Sequence, residues 1–219
     1  MKIVEEKDLN KSRDEIVLRS YKVCQNAKFP VNELDVYDHL YGNNDLVLRF
    51  LVNEGSEIVG FGVAQNYNLK INEFFATLTY LQGMVIAQEY QGKGYSTKML
   101  KNIYQYFQSD LFGLRTQNPK MAISMLNLFK NILMEIPANT CKELPQSIMS
   151  ELLKSIRQIP PYQAVDDKGI VRRCYINQLY PDLNELKTIN SNIDLGETDA
   201  LAVIIQPETT TSRILLPKK

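Results

Sequence analysis

The sequence predicts an α/β fold in which helices flank a largely antiparallel sheet, and three observations lead to it. Apolar stripes at helical spacing alternate along the chain with strand-length runs rich in Val, Ile, Phe, Thr and Tyr. Two of these runs are joined by Glu54-Gly55-Ser56, a turn of hairpin type. A third ends in Met84-Val85-Ile86-Ala87 and passes through Gln91-Gly92-Lys93-Gly94-Tyr95-Ser96 straight into an amphipathic helix. A strand, a glycine-rich turn and a helix start in that order form a device for holding a phosphate.

The elements follow in order. Ser12-Arg13-Asp14-Glu15 has the Ser-x-x-Glu form of a capping box, and Val17, Tyr21 and Cys24 recur at helical spacing, so Ser12 to about Ala27 is expected to be a helix. A second, shorter helix is expected from Asn32 to Tyr41, ended by the turn formers Gly42-Asn43-Asn44-Asp45. Leu46 to Val52 and Glu57 to Ala64 are the two hairpin strands, and Phe74 to Ala87 is a long third strand. Beyond the glycines, Met99, Ile103, Tyr106 and Phe107 line a helix reaching about Ser109. Leu111 to Gln117 reads as a strand. Asn118-Pro119 then starts a helix, with asparagine as the cap, proline at the first helical position and Ala122, Met125, Phe129 and Ile132 as the buried stripe. Ile148, Leu152, Ile156 and Ile159 form one more helical face, stopped by Pro160-Pro161. Ile170 to Gln178 and Ala200 to Gln206 are expected to be closing strands, all within one domain spanning 1–219.

Composition bounds the class. With 219 residues and 44% hydrophobic content the chain can bury a real core. Its 25 basic residues balance 25 acidic ones, which argues against a nucleic-acid surface or a membrane patch and for a small partner. No apolar run approaches the ~20 residues that span a bilayer. Met1 to Lys7 lacks the apolar stretch of a signal peptide, so a cytoplasmic location is expected. Cys24, Cys141 and Cys174 are odd in number and widely spaced beside a single histidine, which argues against a disulfide framework and a zinc site. They read as small buried or half-buried residues.

At the glycine turn, unpaired N–H groups and the positive end of the helix dipole favour an anion. Gly92 and Gly94 can take positive φ, and Lys93 and Lys98 add charge. The plain alternative is a strand-to-helix turn whose glycines serve geometry alone. A nucleotide P-loop needs Gly-x-x-x-x-Gly-Lys-Ser/Thr, which this turn lacks, and a dinucleotide fold needs a βαβ unit where this chain has a hairpin.

Gln91-Gly92-Lys93-Gly94-Tyr95-Ser96 resembles the Gln/Arg-x-x-Gly-x-Gly/Ala signature of the GNAT superfamily of acyl-CoA-dependent N-acyltransferases, with Ser96 departing from the usual small residue. The order of elements is similar too, well over Lys11 to Lys130 and weakly over the closing strands. The resemblance implies a mixed, largely antiparallel sheet with a central splayed strand pair. It also implies acetyl-CoA or another acyl-CoA as cosubstrate, no metal, and an amine as acceptor. The coenzyme's pyrophosphate would sit on the backbone amides of Gln91, Gly92, Lys93, Gly94, Tyr95 and Ser96. Its pantetheine arm would lie along Met84-Val85-Ile86, pairing with Met84 and Ile86. Asn118 matches a position where members of the family often have an asparagine facing the pantetheine or a water.

The catalytic groups are less evident. Family members often carry a glutamate on the long strand, on the face of Met84 and Ile86, and counting back by twos reaches Gln82 and Tyr80. Gln82 does not ionise, so it can orient a water but is no base. The family's frequent tyrosine acid has no counterpart in Ala122-Ile123-Ser124-Met125-Leu126, where Ser124 is the only protic side chain. His39, the only histidine, lies where the family's second helix borders the acceptor pocket and is a candidate base, with Asp35, Asp38 and Glu73 as rival carboxylates. The segment from Pro145 to Ile159 is expected to cover the acceptor side. Two functions follow: an N-acyltransferase acting on a primary amine of a small molecule or peptide, or an inactive module that senses acyl-CoA.

Overall fold

The computed structural model describes residues 2–5, 11–42, 47–71, 74–116, 118, 120–125, 151, 154–159, 163–164, 170–171 and 200–205. The strands are β1 (Lys2–Glu5), β2 (Val47–Glu54), β3 (Glu57–Ile71), β4 (Phe74–Ile86), β5 (Leu111–Thr116), β6 (Ile170–Val171) and β7 (Ala200–Ile205), and the helices are α1 (Arg13–Asn26), α2 (Glu33–Tyr41) and α3 (Tyr95–Phe107). The sheet order is β1-β2-β3-β4-β5-β7-β6. The pairs β1/β2, β2/β3, β5/β7 and β6/β7 are antiparallel, so the fold is the expected α/β class. Contacts cluster into two units, one made of Met1–Asn66 and Leu81–Tyr106, the other of Tyr67–Tyr80 and Phe107–Lys219.

In the first unit Ser12 caps α1, its hydroxyl accepting from the Glu15 N–H at 3.2 Å. The Glu15 carboxylate is held by Lys11 and Arg19, and hydrogen bonding to Lys11 is the main influence pulling its pKa below the ordinary value. The reciprocal capping box occurs instead on α2, between Asn32 and Asp35 at 2.8 and 2.9 Å. Both helices lay their stripes, Val17, Val23, Cys24, Val36 and Leu40 among them, on one face of the sheet against Leu51, Phe61 and Val63. Burial pushes the Cys24 thiol up to about 12, which makes it an inert core residue as expected. The opposite face receives α3 through Met99, Leu100 and Ile103. It comes close because β3 has glycine there: a Cβ at Gly62 would stand 2.7 Å from Met99 Sδ.

Two strand readings change. β1 is too short to show a period, and its pairing of Ile3 with Val52 and Val4 with Leu51 makes it a strand. β3 runs seven residues past the expected end at Ala64, to Ile71. Leu69 and Ile71 are buried there while Asn68 and Lys70 are exposed, an alternation masked by the polar Gln65-Asn66.

In the second unit, Asp110 Oδ2 accepts from the Thr77 N–H and hydroxyl at 2.8 and 2.9 Å, and the Thr79 and Ser109 hydroxyls meet at 2.7 Å. α3 stops at Phe107 rather than Ser109 because Gln108 takes φ 49°, and Ser109 is needed for that hydroxyl contact. Phe112 opposes Ile205, and Thr116 opposes Leu201. Ala122 and Met125 are buried as the stripe requires, while Phe129, Ile132, Glu73, Cys141, Cys174 and the expected strand beyond Val171 lie outside the described residues. In the 145–159 segment Ser155, Ile156 and Ile159 are buried and the Ser155 hydroxyl donates to the carbonyl of Lys70. That face of the segment packs into its own unit.

Candidate functional site

The glycine turn is built from the end of β4 forward. The N–H of Ala87 closes the strand on the carbonyl of Val59 at 2.9 Å. A single 3₁₀ turn at Gln88–Tyr90 follows, and the Gln91 N–H returns to the carbonyl of Gln88 at 3.1 Å. The Gln91 side chain donates to the carbonyl of Ile86 at 2.9 Å. Gly92 and Gly94 then take φ of +74° and +78°, and a Cβ at either would meet nothing within 4 Å. They are glycines for backbone conformation and open space.

The helix proper starts at Tyr95, and the first N–H to find its helical acceptor is that of Lys98, on the carbonyl of Gly94 at 3.1 Å. The N–H groups of Gly94, Tyr95, Ser96 and Thr97 therefore have no intrahelical acceptor. The first turn of α3 contains no acidic residue. Lys93 Nζ lies 4.8 Å over the Tyr90 ring, which meets Tyr95 edge-on at 5.9 Å. The Tyr95 hydroxyl donates to Glu54 Oε2 at 3.2 Å, and burial together with that carboxylate raises the phenol above its ordinary pKa. A glycine-lined helix N-terminus with a lysine beside it has the chemistry to receive an anion, an anion cradle in form.

Along β4 the alternation of side chains separates the remaining candidates. Met84 and Ile86 face the α3 side, where their side chains come close to Gly62 and Gly60, and Gln82 shares that parity. Gln82 Oε1 is buried with no hydrogen-bond donor among the described residues. Val85 points the other way, into the α1/α2 core. His39 is on that second side too: its Nε2 and Cε1 would lie 2.5 and 2.6 Å from a Cβ at Gly83, and its ring meets Phe61 edge-on at 6.5 Å. Gln82 and His39 thus stand on opposite faces of one strand. Asp35 is spent capping α2, and Asp38 is exposed.

In the second unit Asn118 caps the helical stretch 120–125, its Oδ1 accepting from the Lys120 and Met121 N–H groups at 3.0 and 3.4 Å. Ser124 is half-buried in that stretch. Among the described residues no group of three or more His, Cys, Asp or Glu is placed to hold a metal, and no helix is long and apolar enough to cross a membrane. Asn26, Glu54 and Gly83, which shape the first unit's site, were not legible locally; each acts on a segment tens of residues away in the chain.

A central strand that enters a helix through a turn with two glycines at positive φ is an arrangement suited to holding a phosphate. Residues 15–122 match the sequence model of the acetyltransferase (GNAT) family, and over those residues the chain belongs to that family. No curated protein sequence matches it. Among solved structures, the ribosomal-protein-S18-alanine N-acetyltransferase of Escherichia coli is 14% identical, with 94% of this chain and 93% of that one covered and a TM-score of 0.50. A GNAT family acetyltransferase from Staphylococcus aureus is 20% identical over 67% of this chain and 99% of its own, with a TM-score of 0.44. An aminoglycoside 6'-N-acetyltransferase from Acinetobacter haemolyticus is 10% identical over 66% and 95%, with a TM-score of 0.42. The likeness to the first of these is one of fold.

Proposed function

We propose that the protein is an N-acyltransferase that moves an acetyl or related acyl group from acyl-CoA to a primary amine of a small molecule or peptide. The observation that supports this most directly is the cradle: two glycines at positive φ, open space above them and a helix first turn of unengaged N–H groups. Pyrophosphate fits it chemically. In this reading the donors are the amides from Gly92 to Thr97, because the Gln91 N–H is already used within the 3₁₀ turn. Lys93 and Lys98 add charge at its rim. Met84 is the strand residue best placed to pair with a pantetheine arm, since the carbonyl of Ile86 already accepts from Gln91.

Acyl transfer needs a neutral amine, donors for the developing oxyanion and a proton for the departing thiolate. Backbone amides supply the donors. The side-chain carbonyl of Gln82 is an acceptor without a donor among the described residues and suits an incoming amine N–H or a water held against it. It orients and does not ionise, so the amine reacts in its neutral form.

The test is calorimetric titration with acetyl-CoA, followed by measurement of free thiol with a panel of small-molecule and peptide amines. Saturable binding and amine-dependent thiol release are expected. Binding with no thiol release across a broad panel would instead identify an acyl-CoA sensor, and competition by ATP or GTP would identify a nucleotide site.

A further inference from the structure

The 3₁₀ turn that launches the cradle starts at a residue unable to cap it. Its N-cap is Ala87, which has no side-chain acceptor for the N–H of Gln88. That donor is instead taken by Asn26 Oδ1 at 2.6 Å, from a residue 62 positions earlier in the chain. The same side chain donates through Nδ2 to Glu89 Oε2 at 2.7 Å. One amide therefore grips two consecutive residues of the turn, using its acceptor on a backbone donor and its donor on a carboxylate.

The grip is only as firm as its base, and Asn26 has a firm one. It is the last residue of α1, one turn beyond Val23 and Cys24, which are 3% and 2% exposed. The helix closes behind it with Lys28 at φ 56°, the Ala27 N–H on the carbonyl of Val23 and the Phe29 N–H on the carbonyl of Cys24, both at 2.9 Å. A side chain fixed by the core thus determines where the turn starts. From there the carbonyls of Ala87, Gln88 and Ile86 are engaged in sequence by Tyr90, Gln91 and the Gln91 amide, which sets the direction in which Gly92 begins.

We propose that Asn26 is a positioning residue for the anion cradle, acting through Gln88 and Glu89 to hold the amides of Gly92 to Thr97 in the geometry that grips the coenzyme's phosphates. This rests on the coenzyme A reading given above. Preorganised donors bind without first ordering the loop, so loosening the grip weakens binding and leaves the chemistry at the thioester alone.

The experiment uses the full chain and coenzyme A itself as probe. Asn26→Asp keeps the acceptor for the Gln88 N–H but sets a carboxylate against Glu89, and Asn26→Asp with Glu89→Gln restores a donor and acceptor pair with the roles exchanged. Calorimetry is expected to give a Kd about fivefold higher in the single variant and within about twofold of the parent in the double variant, as loss and recovery of a hydrogen bond to a charged group require. KM for acetyl-CoA should follow Kd while kcat stays near the parent's, and Tm should be similar in both variants because the contact is exposed. If Asn26→Asp does not fold, Glu89→Ala removes the same grip from the other side and should raise Kd comparably. A single variant that binds as tightly as the parent, or a double variant that stays weak, overturns the positioning role while leaving the coenzyme reading intact. A parent chain that binds no coenzyme A overturns the coenzyme reading, and the role of Asn26 with it.

Discussion

Replacing Gly94 by valine separates the backbone demand of the cradle from its ligand function. Gly94 has φ +78°, and a Cβ there meets no protein atom within 4 Å, so the folded chain suffers conformational strain but no clash. A side-chain-bearing residue in the left-handed region costs roughly 1–2 kcal/mol, with a β-branched one at the upper end. For a chain of this size that is a Tm lower by roughly 2–8 °C. Affinity should suffer far more, because the valine fills the open space above the amides and keeps a phosphate off the N–H groups of Gly94 and Tyr95. Two charge-assisted hydrogen bonds at about 1.5–3 kcal/mol each amount to about 3–6 kcal/mol, a loss of more than a hundredfold. Gly55→Val is the matched control: φ is +59°, the space is equally open, and the backbone of 91–96 is untouched. Thermal melts should show similar destabilisation for the two variants, and titration with coenzyme A should show a large loss only for Gly94→Val. If Gly94→Val folds and binds as tightly as the parent, or if Gly55→Val loses as much affinity, the phosphate assignment is wrong.

The place of His39 gives a second expectation. Gly83→Ala drives a Cβ to within 2.5 Å of His39 Nε2, which should cost about 1–3 kcal/mol, and combining it with His39→Ala should recover part of that loss. Strict additivity in a double-mutant cycle would show that the ring does not hold the space. A third concerns pH. Because Gln82 does not ionise and so cannot take the proton, kcat/KM for alkylamine acceptors should keep rising through pH 8 and 9, following an amine whose own pKa is about 10.4, and should flatten at lower pH for less basic amines. His39→Ala should leave that shape unchanged; a limb between about pH 6 and 7 that disappears in the variant would make His39 the base.

Local sequence determined most of the elements, because these rest on neighbours in the chain, whereas β1 is made a strand by its pairing with β2. The apolar spacing of α1 and α3, the Ser12 and Asn118 caps, the Gly55 hairpin and the two glycines of the cradle are all contacts within a few residues, and they were legible for that reason. The alternation along β4 also gave the shared face of Gln82, Met84 and Ile86. What tertiary structure decided is which polar groups were already spent and which were left over. Glu54 looks like any hairpin carboxylate until the Tyr95 hydroxyl, 41 residues on, donates to it, and Asp110 looks like any surface carboxylate until Thr77 takes it. The grip of Asn26 on Gln88 and Glu89, and the seat of His39 on Gly83, join residues 62 and 44 positions apart. Hydrogen bonds and van der Waals contacts act over a few ångströms in space, whatever the separation along the chain, so no local pattern announces them.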